Sequence, residues 1–204
     1  MIGWLLALLF IMWLAVVAFL RVYRVWLPFY LIGAVGCAYW LVLVAARLLQ
    51  LEPALAHSVA WTVHGICNII GIPTRIFAGA PGVLLVLVVI QRVGWTVLQI
   101  GVESSGLLEV SVLASLLLFY PGWTLRRRAW FIGLGVIATW TANVLRVLVI
   151  VIMLHVLGKE ALVLAHMYVG KAFFFLLTAG IFWALVTRPT LRSLRTRFRA
   201  AHMS

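Results

Sequence analysis

Long apolar runs separated by short cationic connections make up most of this chain. Five runs are long enough to cross a bilayer, whose hydrocarbon core of about 30 Å needs roughly 20 helical residues. They cover about residues 2–20, 26–46, 106–123, 130–157 and 162–186. The pattern predicts an all-α, polytopic membrane bundle with five firm spans, forming one domain over residues 1–187.

The region between the second and third runs is less regular. Residues 54–72 are a further possible span, although His57 and His64 interrupt it. Residues 83–90 and 95–102 are apolar and β-branched, and the break between them holds Arg92 and a glycine, which predicts a hairpin or a short interfacial helix. A full crossing would place Arg92 near the middle of the bilayer at high cost. We therefore expect a small non-helical or amphipathic element at residues 76–103.

The formal net charge of the chain is +12, and the positions of the positive residues along the sequence predict its topology. Arginines cluster where apolar runs end, at Arg21, Arg24, residues 126–128 and a basic tail over 188–204. This positive-inside pattern predicts a multi-pass protein of the inner (cytoplasmic) membrane, with its N-terminus outside and its tail in the cytoplasm. A cationic tail beside a bilayer favours anionic lipid over nucleic acid as its partner.

Composition excludes several classes of protein. Hydrophobic residues form 66% of the chain and charged residues only 10%, which is incompatible with a soluble globular domain. The two cysteines, Cys37 and Cys67, are too few for a disulfide framework. The sequence contains neither a phosphate-binding loop nor a cluster with metal-ligand spacing, so no metal, nucleotide or organic cofactor is predicted.

Three polar residues, lying in or just before apolar runs, stand at similar distances from the cationic ends of those runs. From the cationic ends, 22 residues separate Ser104 from Arg126 and 22 separate His166 from Arg188. Each interval corresponds to about 33 Å of continuous helix, and Arg146 lies about 24 Å along its own run. An arginine inside a membrane helix must face protein or water. These spacings predict that Ser104, Arg146 and His166 meet near the outer boundary of the bilayer.

Helical spacing adds neighbours to this set. Thr139, Asn143 and Arg146 recur at intervals of four and three residues, which places them on one face of a helix. His166 and Gly170 share a face in the same way, and a glycine there lets another backbone or a substrate approach closely.

At these residues the chain resembles the exosortase and archaeosortase family of membrane-embedded, cysteine transpeptidase-like enzymes. The family pattern is Cys-Ser-Gly at the outer start of a span, Asn-x-x-Arg in the next span, and a histidine near the start of the following one. The matching residues are Ser105, Gly106, Asn143, Arg146 and His166. The resemblance covers roughly residues 65–185, and it assigns the active site to residues 76–187.

The resemblance implies cleavage of C-terminal sorting signals at the outer face of the membrane, so that the substrate is a membrane-anchored protein tail. It implies catalysis by residue 104, with His166 exchanging protons and Arg146 stabilising the oxyanion. The supporting or substrate-binding residues are then Asn143, Ser105, Gly106 and Gly170. Ser104 stands where the family has its nucleophilic cysteine, and an alcohol needs a stronger positioned base than a thiol. Ser104 is therefore a working nucleophile, or the chain is inactive.

Structural roles and other functions compete with this hypothesis. Ser104 or Ser105 is a good N-cap for the third run, and Arg146 could pair with Glu109 or Glu103. A rhomboid-like intramembrane serine protease would use Ser105 and His166, although the glycine expected two residues before that serine is replaced by Glu103. A non-enzymatic membrane scaffold or transporter subunit is the remaining alternative.

Overall fold

The computed structural model describes residues 2–47, 49, 51–77, 86–91, 94–99, 106–120, 123–189 and 191. Its elements in chain order are helices α1 (Ile2–Val22), α2 (Trp26–Arg47) and α3 (Leu51–Ile69), strands β1 (Thr74–Phe77), β2 (Val86–Gln91) and β3 (Gly94–Gln99), and helices α4 (Leu107–Leu118), α5 (Leu125–Leu157) and α6 (Gly170–Phe182). A 3-10 turn at Lys159–Ala161 follows α5, and π-helical segments Leu164–Val169 and Trp183–Thr187 flank α6.

Four helical stretches in the described part of the chain are long and apolar enough to cross a membrane. They are Gly3–Val22, Trp26–Ala46, Leu125–Leu157 and Lys159–Thr187. These four correspond to four of the five predicted spans, and they give the molecule the predicted character of a helical membrane bundle. The expected count of five is not reached among the described residues.

Helix α4 accounts for the missing span. It has 12 residues, which make about 18 Å of helix against a hydrocarbon core of about 30 Å. The expectation of one continuous helix from Arg126 back to Ser104 is wrong, because the helix ends at Leu118 and the next begins at Leu125. Arg128 donates a hydrogen bond to the carbonyl of Leu118 and so satisfies a backbone acceptor at this early end.

Helix α5 has the opposite property, since it is longer than a bilayer requires. Its 33 residues extend over about 50 Å. The end near Leu157 is covered by α3 and by the sheet, which we together call the cap. Side chains of α3, β3 and α5 form one buried cluster there, whose members include Val59, Val63, Cys67, Leu98, Val147, Val151 and Leu154.

The sheet of the cap is antiparallel with the strand order β1-β2-β3. Strands β2 and β3 pair from Val86↔Gln99 to Gln91↔Gly94, so the predicted hairpin is confirmed and the interfacial helix is not. Strand β1 begins at Thr74, two residues before the predicted element, and a hydrogen bond of 2.6 Å joins the Thr74 hydroxyl to Nδ1 of His64 on α3. The helical bundle therefore carries the small non-helical element that was expected in this region, in the form of a β-cap.

Residues 54–72 form most of α3 rather than a sixth candidate span. One face of α3 is buried against α5, whereas His57 and Asn68 are exposed on the other. The helix is thus amphipathic and belongs to the cap.

The opposite end of the bundle carries most of the arginines of the described chain that stand where apolar runs end, Arg47 at the far end of α2 being the exception. They are Arg21, Arg24, Arg126, Arg127, Arg128 and Arg188, and we call this region the arginine-rich end. Aromatic packing joins α2 to the end of α4 here, with the ring centroids of Phe29 and Phe119 5.5 Å apart. Leu113 and Leu117 of α4 pack with Leu185 beyond α6 in a second core cluster.

Candidate functional site

The N-terminal end of α4 packs directly on α5 through Gly106. This residue is the N-cap of α4 and has left-handed backbone angles, φ 76° and ψ 5°. A Cβ atom at this position would lie 3.5 Å from Nδ2 of Asn143. Since a left-handed conformation costs other L-residues roughly 1–2 kcal/mol, glycine suits the turn, while the distance to Asn143 is that of an ordinary van der Waals contact. The alternative that Ser104 or Ser105 is the N-cap is wrong, because Gly106 occupies that position.

Three polar residues of α5 are buried on the side that faces protein. Thr139 is 2% exposed, Asn143 0% and Arg146 4%. The guanidinium carbon of Arg146 lies 5.3 Å from the ring centroid of Phe174 on α6. Such a contact stabilises a desolvated cation by about 2 kcal/mol. Arg146 is therefore held between α5 and α6, and it does not face lipid.

A cleft of about 520 Å³ opens beside Arg146. Its walls come from α2, α4, α5 and α6, and they include Val42, Leu107, Glu109, Arg146, Lys171, Phe174 and Thr178. Two cations and one carboxylate thus meet in an otherwise largely apolar space. Such a site suits a polar backbone or a developing negative charge on a ligand whose remaining surface is apolar.

A second cavity of about 290 Å³ continues the cleft along α4 and α6. Both cavities are lined by Leu108, Glu109, Phe175 and Thr178, and the second also reaches Thr139 and Phe182. Together they form a groove between α4 and α6 whose charged residues lie at the end nearer the cap. We call it the α4–α6 groove.

His166 lies in the π-helical segment that precedes α6, and its Nδ1 atom is shielded from solvent. Segments of π-helix within α-helices are common at functional sites. One turn farther on, Gly170 packs so closely on α5 that a Cβ atom there would come within 2.8 Å of Cδ1 of Ile150. The predicted close approach at Gly170 is therefore filled by a side chain of the protein itself.

The structure brings three of the predicted site residues together and places His166 earlier on the last helix than Phe174. Gly106, Asn143 and Arg146 meet at one level of the bundle, where Arg146 contacts Phe174. His166 precedes Phe174 by eight residues, which corresponds to about 12 Å of helix. Ser104, Ser105 and Glu103 lie outside the described residues.

The native cysteines are poorly placed to replace Ser104. Cys67 is buried in the cluster between the cap and α5, and this burial raises the pKa of its thiol. A thiol that stays protonated at neutral pH is a weak nucleophile. Cys37 lies within the span of α2. Among the described residues, no group of three or more histidine, cysteine or acidic residues is arranged to hold a metal ion.

Phe174 is the site residue that sequence reasoning missed. It follows His166 and Gly170 at the same interval of four residues, so it belongs to the same face of the last helix. That interval was the available signal. An aromatic residue is common in an apolar membrane helix, so the role of Phe174 becomes visible only from the position of Arg146 over its ring.

No protein-family model, no curated protein and no solved structure matches this chain. The resemblance to exosortases rests on the motif residues alone, and the site has to be judged by its own geometry.

Proposed function

We propose that the chain is an exosortase-like membrane peptidase or transpeptidase that cleaves C-terminal sorting signals of exported proteins. The observation that carries the proposal is the packing of Gly106 on Asn143, with Arg146 buried one turn farther along α5 against Phe174. Two motif pieces that are distant in sequence thereby meet. This meeting is what a shared catalytic role requires, and a buried arginine beside a cleft in a membrane protein is a functional candidate by default.

In this proposal Ser104 attacks the scissile carbonyl of the substrate. His166 accepts the proton of the hydroxyl and later donates it to the leaving amine. Arg146 stabilises the negative charge that develops on the carbonyl oxygen, and its burial strengthens that interaction because little water competes. Asn143 orients Arg146 or holds the substrate backbone.

The α4–α6 groove supports a membrane-anchored substrate. Helix α4 covers only part of the bilayer thickness, and the groove beside it is lined mainly by apolar side chains. An apolar substrate helix placed there would present its outer end to Arg146 and Glu109. The positive-inside pattern assigns the arginine-rich end to the cytoplasm, so that the cap and the cleavage site lie on the outer side.

The decisive experiment replaces Ser104 by cysteine in a background in which Cys37→Ala and Cys67→Ala remove the native thiols. If the site activates its nucleophile, a membrane-impermeant maleimide added from outside will label the Ser104→Cys protein rapidly. His166→Ala in the same protein will slow labelling at neutral pH, because a nearby imidazolium raises the thiolate fraction. The matched control is Ser105→Cys. Equal rates at the two positions, with no dependence on His166, would contradict the proposal.

Alanine substitutions then separate the two kinds of protease on a tagged, membrane-anchored reporter. Loss of cleavage in Ser104→Ala and Arg146→Ala supports the exosortase-like mechanism. Loss in Ser105→Ala while Ser104→Ala and Arg146→Ala stay active would support the rhomboid-like alternative instead.

A further inference from the structure

Negative charge is absent from the sequence segments that build the arginine-rich end. The chain has four carboxylate side chains, Glu52, Glu103, Glu109 and Glu160, and none belongs to residues 2–46, 110–158 or 161–204. Those segments supply every arginine of the arginine-rich end and of the basic tail. Salt bridges to carboxylate side chains of these same segments are therefore not open to this end of the molecule, and its exposed arginines are left for water or for anions of another molecule.

A cavity at this end has the shape and lining for such a molecule. It is an open cleft of about 540 Å³ between the start of α2, the end of α4 and the end of the last helix, and this volume is within the usual size range of ligand sites. Its lining residues are Trp26, Leu27, Tyr30, Tyr120, Val186, Thr187 and Leu191. Most of this surface is aromatic or aliphatic, but three of the residues carry hydroxyl groups. The lining thus suits an amphiphile rather than a small hydrated ion.

Two exposed arginines flank the cavity. Arg188 adjoins the lining residue Thr187, and Arg24 precedes the lining residue Trp26 by two positions. Their Cα atoms therefore lie within about 3.8 Å and 7.6 Å of those of the lining residues. Both side chains are exposed.

Two other arginines of this end are engaged within the protein. The guanidinium carbon of Arg127 lies 4.5 Å from the ring centroid of Trp123, and Arg128 donates to the carbonyl of Leu118. This difference provides a natural control, because Arg127 has the same charge and belongs to the same end of the bundle.

We propose that this cavity is a binding site for an anionic phospholipid, with Arg24 and Arg188 on the phosphate and the aromatic walls around the glycerol and upper acyl chain. Guanidinium groups bind phosphate in a bidentate geometry, and basic pockets between transmembrane helices are suited to anionic headgroups. The proposal does not depend on the enzymatic activity proposed above.

The test uses the purified full-length chain in nanodiscs of pure phosphatidylcholine or with 20 mol per cent phosphatidylglycerol, read out by melting temperature and by native mass spectrometry of retained lipid. We expect phosphatidylglycerol to raise the melting temperature and to remain bound to the wild-type protein. The double variant Arg24→Gln/Arg188→Gln should lose at least tenfold in phosphatidylglycerol affinity, whereas Arg127→Gln should stay within twofold of wild type. An unchanged melting temperature of the double variant in pure phosphatidylcholine shows that it is folded.

Other occupants give different outcomes. Deleting residues 192–204 should leave phosphatidylglycerol retention in place. If the deletion abolishes retention while the double variant preserves it, the tail binds the lipid and the proposed site is wrong. Full displacement of phosphatidylglycerol by millimolar inorganic phosphate would identify a free anion as the occupant and would also overturn the proposal.

Discussion

Helix α5 carries arginines at two places, and the environments of their side chains are opposite. Arg126 and Arg127 in its first turn are exposed, whereas Arg146 is almost completely buried. Exposed cations at a membrane surface are solvated by water and by lipid headgroups, so they make few demands on the fold. A buried cation needs surroundings that the protein itself provides.

The same contact appears at both places in different settings. Arg127 lies 4.5 Å from the ring centroid of Trp123, and Arg146 lies 5.3 Å from that of Phe174. A cation–π contact contributes about 0.5–1 kcal/mol at an exposed site and about 2 kcal/mol when it is desolvated. The comparison teaches that arginine count alone says little here, and that burial decides which arginine the fold is organised around.

The largest expected effect concerns cleavage of a membrane-anchored reporter. Replacing Arg146 by Met should lower the rate by about 10²–10³-fold, the usual effect of removing one oxyanion-stabilising donor. Arg127→Met should leave the rate within twofold, because Arg127 lies at the other end of the bundle and touches no part of the cleft. The measurement is the initial rate of tag release at equal amounts of folded protein. An Arg146→Met protein that cleaves within threefold of wild type would remove Arg146 from the mechanism.

The next effect is on stability and concerns two glycines. Gly106→Ala places a side chain in a left-handed conformation and 3.5 Å from Nδ2 of Asn143, so it should destabilise the protein by about 1–2 kcal/mol. Gly65→Ala is the matched control, because Gly65 is helical, exposed and has no atom within 4 Å of a new Cβ. It should leave stability unchanged or raise it by up to about 1 kcal/mol.

Reversible unfolding in detergent, followed by circular dichroism, measures both substitutions. If the alanine at position 106 costs no more than the one at position 65, then the left-handed turn at Gly106 does not fix the start of α4.

Sequence reasoning recovered the features that depend on local composition. Apolar runs identified four spanning helices, the polar break at Arg92 separated two strands, and the charge of Arg146 required that it face protein. It failed on the length of α4, because the largely apolar composition of residues 106–123 favours one long helix, whereas the Pro121-Gly122 pair is the local signal that the helix stops nearby. Packing of Phe119 on Phe29 and capping of Leu118 by Arg128 belong to that end, and neither contact is local in sequence.

The candidate site also has some features that the sequence predicts and others that it does not. The spacing of Asn143 and Arg146 placed both on one helix face, and both are buried. The pairing of Gly106 with Asn143 and of Arg146 with Phe174 depends on how α4 and α6 pack on α5, which a single sequence does not specify. The approach at Gly170 was expected to admit another backbone or a substrate, and α5 of the same chain makes it through the side chain of Ile150.

The smallest effect tests the comparison between the two arginines most directly. A double-mutant cycle of Arg127→Met with Trp123→Leu should give a coupling energy of about 0.5–1 kcal/mol in the free energy of unfolding, because Arg127 is exposed. The corresponding cycle of Arg146→Met with Phe174→Leu should give about 2 kcal/mol, because Arg146 is desolvated. Each cycle cancels the cavity and transfer terms of its single substitutions, so the difference reports the setting of the contact. Equal couplings would mean that burial does not distinguish the two arginines, and that the surroundings of Arg146 are not specially organised for a cation.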